Sequence, residues 1–129
     1  MTGRLTSVSG RSRGRREKGT FFETLARDFL AAQGLTDFQT NYLCRCGEID
    51  IIARDGDYLV FVEVRYRKAG THGSAVATVT RVKQQKIRRA AQLFLQKYGL
   101  TNRMPCRFDV VGISDGPGGP EFRWIKNAF

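Results

Sequence analysis

The chain has few of the residues that build disulfide frameworks or zinc centres. Among its 129 residues there are three cysteines and a single histidine, His72. An odd number of cysteines does not suit a set of paired disulfides, and a structural zinc ion needs four nitrogen or sulfur ligands. We therefore expect Cys44, Cys46 and Cys106 to be buried or half-buried free thiols.

Long apolar runs are also missing. No stretch approaches the roughly 18 apolar residues that a membrane-spanning helix needs. The N-terminus lacks an apolar segment that resembles a secretory signal. The expectation is a cytoplasmic protein without a membrane partner.

Acidic residues are scarce relative to basic ones. The chain has 12 Asp and Glu against 22 Lys and Arg, a formal net charge of +10. Residues 1–18 contain six basic side chains against Glu17 alone, which gives +5 and leaves +5 for the remainder. A basic excess in both parts suits a polyanion such as nucleic acid, because neutralised phosphates release counterions. Charge alone also allows an ordinary solvated surface.

The length and composition favour one domain. A hydrophobic content of 41% over 129 residues is sufficient for one modest core. Residues 1–18 are rich in Gly, Ser and Arg and nearly lack apolar side chains, so burial cannot offset the entropy cost of ordering them. We expect a disordered basic arm at 1–18 and a single domain at 19–129.

The hydrophobic spacing predicts two helices and five strands in the order αβββαββ. The first helix is expected to begin at Thr20, where Thr20 and Glu23 match a capping box, and to stop at Gly34. Thr80 is expected to cap the second helix, which Gly99 ends. The strands are expected at residues 38–44, 47–54, 58–65, 108–113 and 121–125, with a mobile loop at 68–78.

Acidic side chains interrupt two strands that are otherwise apolar. A two-residue turn at positions 55–56 would pair Arg54 with Asp57 and, further along the hairpin, Glu48 with Glu63. The alternation of side chains then sorts both strands into a charged face and an apolar face. The charged face is expected to carry Glu48, Asp50, Glu63 and Arg65, and the apolar face Ile49, Ile51, Val60, Val62 and Val64.

Three carboxylates on one face of a hairpin need a compensating cation, because opposed like charges destabilise a sheet. Hard divalent ions such as Mg²⁺ or Mn²⁺ take oxygen ligands, and Asp50 with Glu63 could supply two carboxylates beside the carbonyl of Val64. Glu48 is a further candidate ligand. The alternative is a structural ion-pair cluster in which arginines, Arg65 among them, neutralise the acids. The geometry favours neither interpretation.

The run of Asp50, a hairpin and Glu63-Val64-Arg65 resembles the PD-(D/E)xK nuclease superfamily, in which acidic ligands and a lysine lie on adjacent strands. Together with their surroundings, these residues resemble the bacterial YraN-like family, which is related to archaeal Holliday junction resolvases. The likeness covers about residues 18–129. It implies an α/β fold of the restriction-endonuclease type, a mixed sheet flanked by helices. The segments that carry it are residues 47–52, 61–65, 83–86 and 107–111.

The resemblance also implies roles for individual residues. Asp50 and Glu63 are implied metal ligands, and Arg65 stands where the superfamily has a lysine. Arginine keeps its charge near neutral pH, so it can stabilise negative charge but cannot act as a base. No proline precedes Asp50, although the superfamily's pattern has one there. Glu23 corresponds to an acidic residue on the first helix of resolvases, and its alternative role is in the capping box.

The second helix supplies further candidates. Gln84 lies in line with Ile87 and Ala91, so its amide is expected to point inward, where it either orients water or phosphate or is satisfied in the interior. The same helix carries basic side chains without an acidic one, whereas an ordinary solvated face mixes the two signs. The candidate nucleic-acid-binding residues are Arg67, Lys68, Arg81, Lys83, Lys86, Arg88 and Arg89.

Three functions remain after this reasoning. The leading hypothesis is a divalent-metal-dependent endonuclease that acts on DNA, with branched or structured DNA among its candidate substrates. The second is a non-catalytic nucleic-acid-binding module that keeps the nuclease fold. The third is a basic structural protein with an acidic protein partner, because charge does not identify the polyanion. The likeness to resolvases leaves a homodimer open.

Overall fold

Two helices flank the sheet, and one of them begins earlier than expected. The computed structural model describes residues 13–68 and 75–129, with side chains from residue 20 onward within those ranges. The first helix, α1, spans Arg13–Ala32. Thr20 and Glu23 therefore lie inside the helix, and the predicted capping box is wrong. Arg, Lys and Glu have high helix propensity. The prediction of a start at Thr20 considered only the low apolar content of the preceding residues.

The predicted basic arm overlaps this helix. Residues 13–18 are helical in α1, and residues 1–12 lie outside the described residues. The second helix, α2, spans Arg81–Lys97 and begins as predicted, because Oγ1 of Thr80 accepts a hydrogen bond from the Lys83 N–H at 3.2 Å. Over the described ranges, no helix is long and apolar enough to cross a membrane.

Five strands form one open mixed sheet in the order β1-β2-β3-β4-β5. β3 and β4 pair in parallel, with α2 in the crossover between them, and the other neighbours pair antiparallel. The α/β architecture with a mixed sheet and flanking helices is as predicted and is consistent with the restriction-endonuclease type. The strands are β1 (Thr36–Cys44), β2 (Gly47–Asp55), β3 (Tyr58–Arg67), β4 (Cys106–Gly116) and β5 (Gly119–Ile125).

The β2–β3 hairpin is shifted by two residues from the predicted register. Asp55 pairs with Tyr58, and Arg54 pairs with Leu59 rather than with Asp57. The turn therefore consists of Gly56 and Asp57, and Gly56 has a φ of 60° at the first turn position, which only glycine adopts readily. A shift of two keeps every side chain on its predicted side of β3, but it changes which residues face each other.

The sheet carries apolar residues on both faces, and the residues of β3 lie on their predicted sides. On the face that packs against α2 lie Ile52, Leu59 and Phe61. On the face that packs against α1 lie Ile51, Val60 and Val62. Helices cover both sides, and each needs apolar residues beneath it. We call these sides the α2 face and the α1 face.

The predicted loop at 68–78 contains a short helix near its end. Residues 69–74, His72 among them, lie outside the described residues. Val76–Thr78 form a short 3-10 helix, and the neighbouring Ala75 and Val79 are buried in the core of the α2 face. The three cysteines are free thiols as expected, although Cys106 is exposed.

A buried ion pair fastens the C-terminal end of the chain to the sheet. Asp109 on β4 is fully buried and accepts hydrogen bonds from the Arg107 guanidinium, from Nε1 of Trp124 and from the N–H of Asn127. Arg107 also binds Asp55 at the end of β2, at 2.8 Å. Because all its neighbours donate, Asp109 is satisfied as a structural carboxylate.

Candidate active site at a break in the sheet

The strand pairing is interrupted around Asp50. The last β2–β3 pair is Ile51 with Val62, although both strands continue beyond it. On the other side, the β1–β2 pairing omits Asn41 and Asp50, and Asn41 has a left-handed φ of 56°. A left-handed residue within a strand is uncommon, and asparagine tolerates it better than most.

This irregularity changes the side to which β2 residues point. Ile49 packs in the core of the α2 face and Ile51 in that of the α1 face, whereas alternation predicts that they share a face. The prediction that Ile49 and Ile51 lie together is therefore wrong. Asp50 lies where the order changes, and its side chain has neighbours from both helices.

The Asp50 and Glu63 carboxyl groups lie together. Oδ2 of Asp50 accepts a hydrogen bond from the backbone N–H of Val64 at 2.9 Å, and the Asp50 carboxyl is also hydrogen-bonded to Glu63. Glu63 is buried, with 4% of its surface exposed. The two implied metal ligands are thus brought into mutual reach. Their role stays a prediction.

Two cations reach Glu63 from different elements. Nη2 of Arg65 lies 3.1 Å from Oε2 of Glu63, and Nζ of Lys83 lies 3.8 Å from the same oxygen. Arg65 follows on the same strand, whereas Lys83 comes from the first turn of α2. Nε of Arg65 is buried and has no hydrogen-bond partner within the described chain, so this guanidinium retains an unused donor.

Glu23 brings a third acid to the cluster from α1. Its carboxyl group interacts with Asp50, Glu48 and Asn41. One of its oxygens, Oε1, is buried without a hydrogen-bond partner among the described side chains and backbone. Glu48 itself is exposed. We use the name acid–lysine cluster for Glu23, Asp50, Glu63 and Lys83.

Burial raises the pKa values of the three acids of this cluster. It raises the pKa of Glu23 to about 8, assisted by the charge of Asp50 and a hydrogen bond to it. Burial and the charge of Asp50 raise the pKa of Glu63 to about 7, although Lys83 and Arg65 oppose the shift. Burial also raises the pKa of Asp50, against the stabilising Val64 N–H. The three acids therefore titrate as a coupled group, and all three pKa values are raised.

The oxygen atoms of these side chains are of the type that a hard cation binds, but they do not form a complete coordination sphere. Across the described residues, no group of three or more Asp, Glu, His or Cys side chains is arranged to hold a metal ion. The oxygens of Asp50 and Glu63, with the partnerless Oε1 of Glu23 nearby, are ligands of the type that Mg²⁺ and Mn²⁺ prefer. Two carboxylates with water are a common magnesium arrangement, so these residues fit the ion.

The remaining candidates that have described contacts make them outside this cluster. The amide nitrogen of Gln84 donates to the carbonyl of Val79 at 3.0 Å, so that donor is used beside the start of α2. The Arg88 guanidinium lies over the rings of Phe108 and Phe129, 5.1 and 5.4 Å from their centroids. The predicted nucleic-acid-binding residues that are exposed are Lys68, Arg81, Lys86, Arg88 and Arg89, and Arg67 is half-buried.

Sequence reasoning did not predict that Lys83 and Asn41 lie at this site. Lys83 was assigned to the phosphate-binding surface, but it precedes Ile87 by four residues, and Ile87 is buried against the sheet. That spacing puts both side chains on one side of the helix. Asn41 drew no prediction, although asparagine is depleted within strands and its position in β1 could have indicated an irregularity.

Comparison with known proteins gives the family of the chain. Residues 22–113 match the model of the uncharacterised protein family UPF0102. A UPF0102 protein of Saccharophagus degradans is 52% identical over 113 residues, which cover 88% of this chain and 92% of that protein. A UPF0102 protein of Nitrosococcus oceani is 47% identical over 114 residues, with coverage of 88% and 92%. The match includes α1 from Phe22, the β2–β3 hairpin and α2, and the chain belongs to the UPF0102 family.

Proposed function

We propose that the protein is a divalent-metal-dependent endonuclease that acts on DNA. The observation that carries this proposal is the hydrogen-bonded pair of Asp50 and Glu63, two carboxyl groups withdrawn from water beside two cationic side chains. A structural ion pair would leave these acids with ordinary or lowered pKa values. Burial is the largest cause of the raised pKa values, and at Glu63 it outweighs the opposing charges of Lys83 and Arg65. Strongly raised values of this kind are more typical of functional sites.

Asp50 and Glu63 are the residues that would hold Mg²⁺ or Mn²⁺, with Glu48 and Glu23 as the nearest further acids. A bound ion of this type supplies an activated water and charge stabilisation for phosphodiester hydrolysis. Metal binding requires deprotonated ligands. Because the pKa values of Glu23 and Glu63 are raised, protons and the metal ion would compete for these carboxyl groups near neutral pH.

The chain's own cations would act on the phosphate. Arg65 offers a fixed positive charge and the unused Nε donor, which suit an anionic oxygen. The Lys83 side chain places a primary amine next to Glu63. It would take the role of the lysine that the superfamily has at the position of Arg65, although it comes from α2 and not from β3. The resemblance to the PD-(D/E)xK superfamily, where a lysine accompanies the acids, supports this assignment.

The preference for DNA has two supports. The net charge of +10 suits a polyanion, and α2 presents basic residues without an acidic one between them. The resemblance to resolvases adds DNA, and branched DNA in particular, as the substrate to test first. The outer residues of α2, Lys86 and Arg89, would contact phosphates beside the cluster.

The test is a cleavage assay on linear and four-way-junction DNA with Mg²⁺, with Mn²⁺ and with chelator. Cleavage is expected with metal and is expected to disappear in Asp50→Asn, which keeps the size of the side chain. Asp57→Asn is the matched control, because Asp57 is exposed in the hairpin turn. Activity that persists in Asp50→Asn would sink the assignment and indicate a contaminant or another site.

A non-catalytic nucleic-acid-binding module is the second candidate. The arginine at the usual lysine position favours it, since Arg65 is already paired with Glu63. This module would bind DNA with a steep dependence on salt, as every multi-phosphate contact does, yet would cleave nothing under any metal condition. Binding without cleavage in the same panel selects this alternative.

A further inference from the structure

Three aromatic side chains lie at the surface beside the acid–lysine cluster. The ring of Tyr66 stacks on that of Phe22, with centroids 4.2 Å apart and planes 16° from parallel. Phe21 meets Phe22 edge to face at 5.2 Å. Phe21 is 57% exposed and Tyr66 36% exposed. We name Phe21, Phe22 and Tyr66 the aromatic cluster.

The aromatic cluster adjoins the acids on both of its elements. Phe22 directly precedes Glu23 on α1. Tyr66 lies two residues beyond Val64, whose N–H binds Asp50, and two strand residues span about 7 Å. Phe22 packs with the α1 face of the sheet, the side from which Glu23 reaches Asp50.

The Tyr66 ring is held in place rather than loosely exposed. Phe22 covers one of its faces, and its hydroxyl donates a hydrogen bond to the Asp115 carboxylate at the end of β4. A ring fixed at both its face and its tip loses little entropy when a second flat group stacks against it.

Basic residues neighbour the aromatic cluster in the sequence. Arg65 and Arg67 precede and follow Tyr66 on β3, where alternation directs their side chains to the opposite face, and the turns of α1 before Phe21 contain Arg13, Arg15, Arg16 and Lys18 with one acid, Glu17. Cations beside exposed rings are the combination by which proteins hold single-stranded nucleic acid, since phosphates need charge and bases need a stacking surface.

We propose that the aromatic cluster binds an unpaired base of the nucleic-acid substrate by stacking, next to the acid–lysine cluster. The inference rests on the proposed function and sharpens its substrate class to DNA with single-stranded segments, such as ends, flaps or opened junctions. Paired bases present only their edges to a protein, whereas unpaired bases present a face. Basic residues suit either a nucleic acid or an acidic peptide. The exposed rings favour the nucleic acid, because its bases can stack on them and carboxylate side chains cannot.

The test measures binding in chelator, where no metal-dependent cleavage occurs, by the anisotropy of labelled DNA. One probe is a duplex with a short single-stranded end, and its partner carries abasic sites in that end. The two probes have equal charge and differ only in the bases. Wild type is expected to bind the intact end roughly 5- to 100-fold more tightly, the range that one stacked base supplies.

The variants distinguish stacking from a structural role. Tyr66→Leu and Phe21→Leu are expected to remove most of the difference between the two probes, and Tyr66→Phe to keep it, because the ring remains. Tyr98→Leu is the matched control, since Tyr98 is a 49% exposed aromatic at the end of α2. Thermal unfolding of each variant confirms that the fold persists.

The outcomes separate this inference from the proposed function. A preference for intact ends without cleavage supports the stacking site and overturns the nuclease. Metal-dependent cleavage with equal affinity for the two probes overturns the stacking site alone. A dimer in sedimentation that Phe21→Leu dissociates would also overturn it, because the aromatic cluster would then belong to an interface between two copies.

Discussion

Lys83 on α2 and Glu63 on β3 form an ion pair across the α2 face of the sheet, with Nζ and Oε2 3.8 Å apart. The pair joins a helix start to the strand that holds the buried acid. The Lys83 side chain is 33% exposed, so the ammonium contacts both the acid and solvent. A cation in this position can meet a phosphate oxygen without leaving Glu63.

The first prediction assigns Lys83 to the chemistry rather than to general DNA binding. Lys83→Met is expected to lower the cleavage rate roughly 100-fold, the usual loss when one charge-stabilising group is removed, with little change in affinity. Lys86→Met is the matched control one turn away, and it is expected to weaken binding and lower the salt slope by about one. If the two variants behave alike, Lys83 is only a phosphate contact.

The second prediction concerns Arg65, which occupies the implied lysine position. Arg65→Lys is expected to keep metal-dependent cleavage, because the positive charge at Glu63 remains. Arg65→Ala is expected to lower it roughly 100-fold by loss of charge stabilisation. Cleavage that appears only in Arg65→Lys would contradict this and show that the arginine silences an otherwise intact site.

The third prediction is a pH dependence of stability without metal. The folded-state pKa values of Glu23 and Glu63, about 8 and about 7, lie above the ordinary value of 4.5. The stability that the protonated acids contribute is therefore fully present below that ordinary value and is lost as the pH rises through the two raised values. Glu23→Gln cannot ionise, so its Tm relative to wild type is expected to increase with pH.

Metal provides the check on this interpretation. Mg²⁺ is expected to bind more tightly as the pH rises and to release protons near neutral pH, which calorimetry in buffers of different ionisation enthalpy measures. Glu23→Gln should release fewer protons than wild type. A Tm difference that is the same at every pH would show that Glu23 titrates normally in the folded protein.

The fourth prediction concerns the buried ion pair at Asp109. Asp109→Asn is expected to lower the free energy of unfolding by about 3 to 5 kcal/mol, because Arg107 then keeps only the partly exposed Asp55 as an acidic partner. Urea unfolding measures this, with Trp124 as the fluorescent probe, since its indole N–H binds Asp109. Asp57→Asn should change stability by less than about 0.5 kcal/mol. A double variant, Arg107→Met with Asp109→Leu, should recover part of the loss.

Local signals were sufficient for much of the fold. The Thr80 cap was predictable because a cap is a contact between residues three apart, and the carboxylates on β2 and β3 were visible as polar interruptions of apolar runs. The start of α1 was not predictable from apolar content, because the arginine, lysine and glutamate residues before Thr20 favour helix without being apolar. The predicted hairpin register was wrong because Gly56 occupies the first position of the turn and not the second.

The composition of the site depended on contacts that no spacing reveals. Asp50 meets Glu23 because a left-handed Asn41 and the end of the β2–β3 ladder redirect β2. Strict alternation instead predicted that Ile49 and Ile51 share a face, whereas they lie on opposite faces. The approach of Lys83 to Glu63 depends on the parallel β3–β4 crossover, which places the start of α2 over the sheet.

The acid–lysine cluster takes one side chain from each of α1, β2, β3 and α2, and these arrive in that order during synthesis. A nascent chain that has released only the hairpin holds the acids with no ammonium from α2 and no β4 beside β3. Lys83, the second of the two cations beside Glu63, is thus the last of the four to leave the ribosome. A nascent chain that ends before α2 lacks Lys83 at this site, even when its β2–β3 hairpin has already formed.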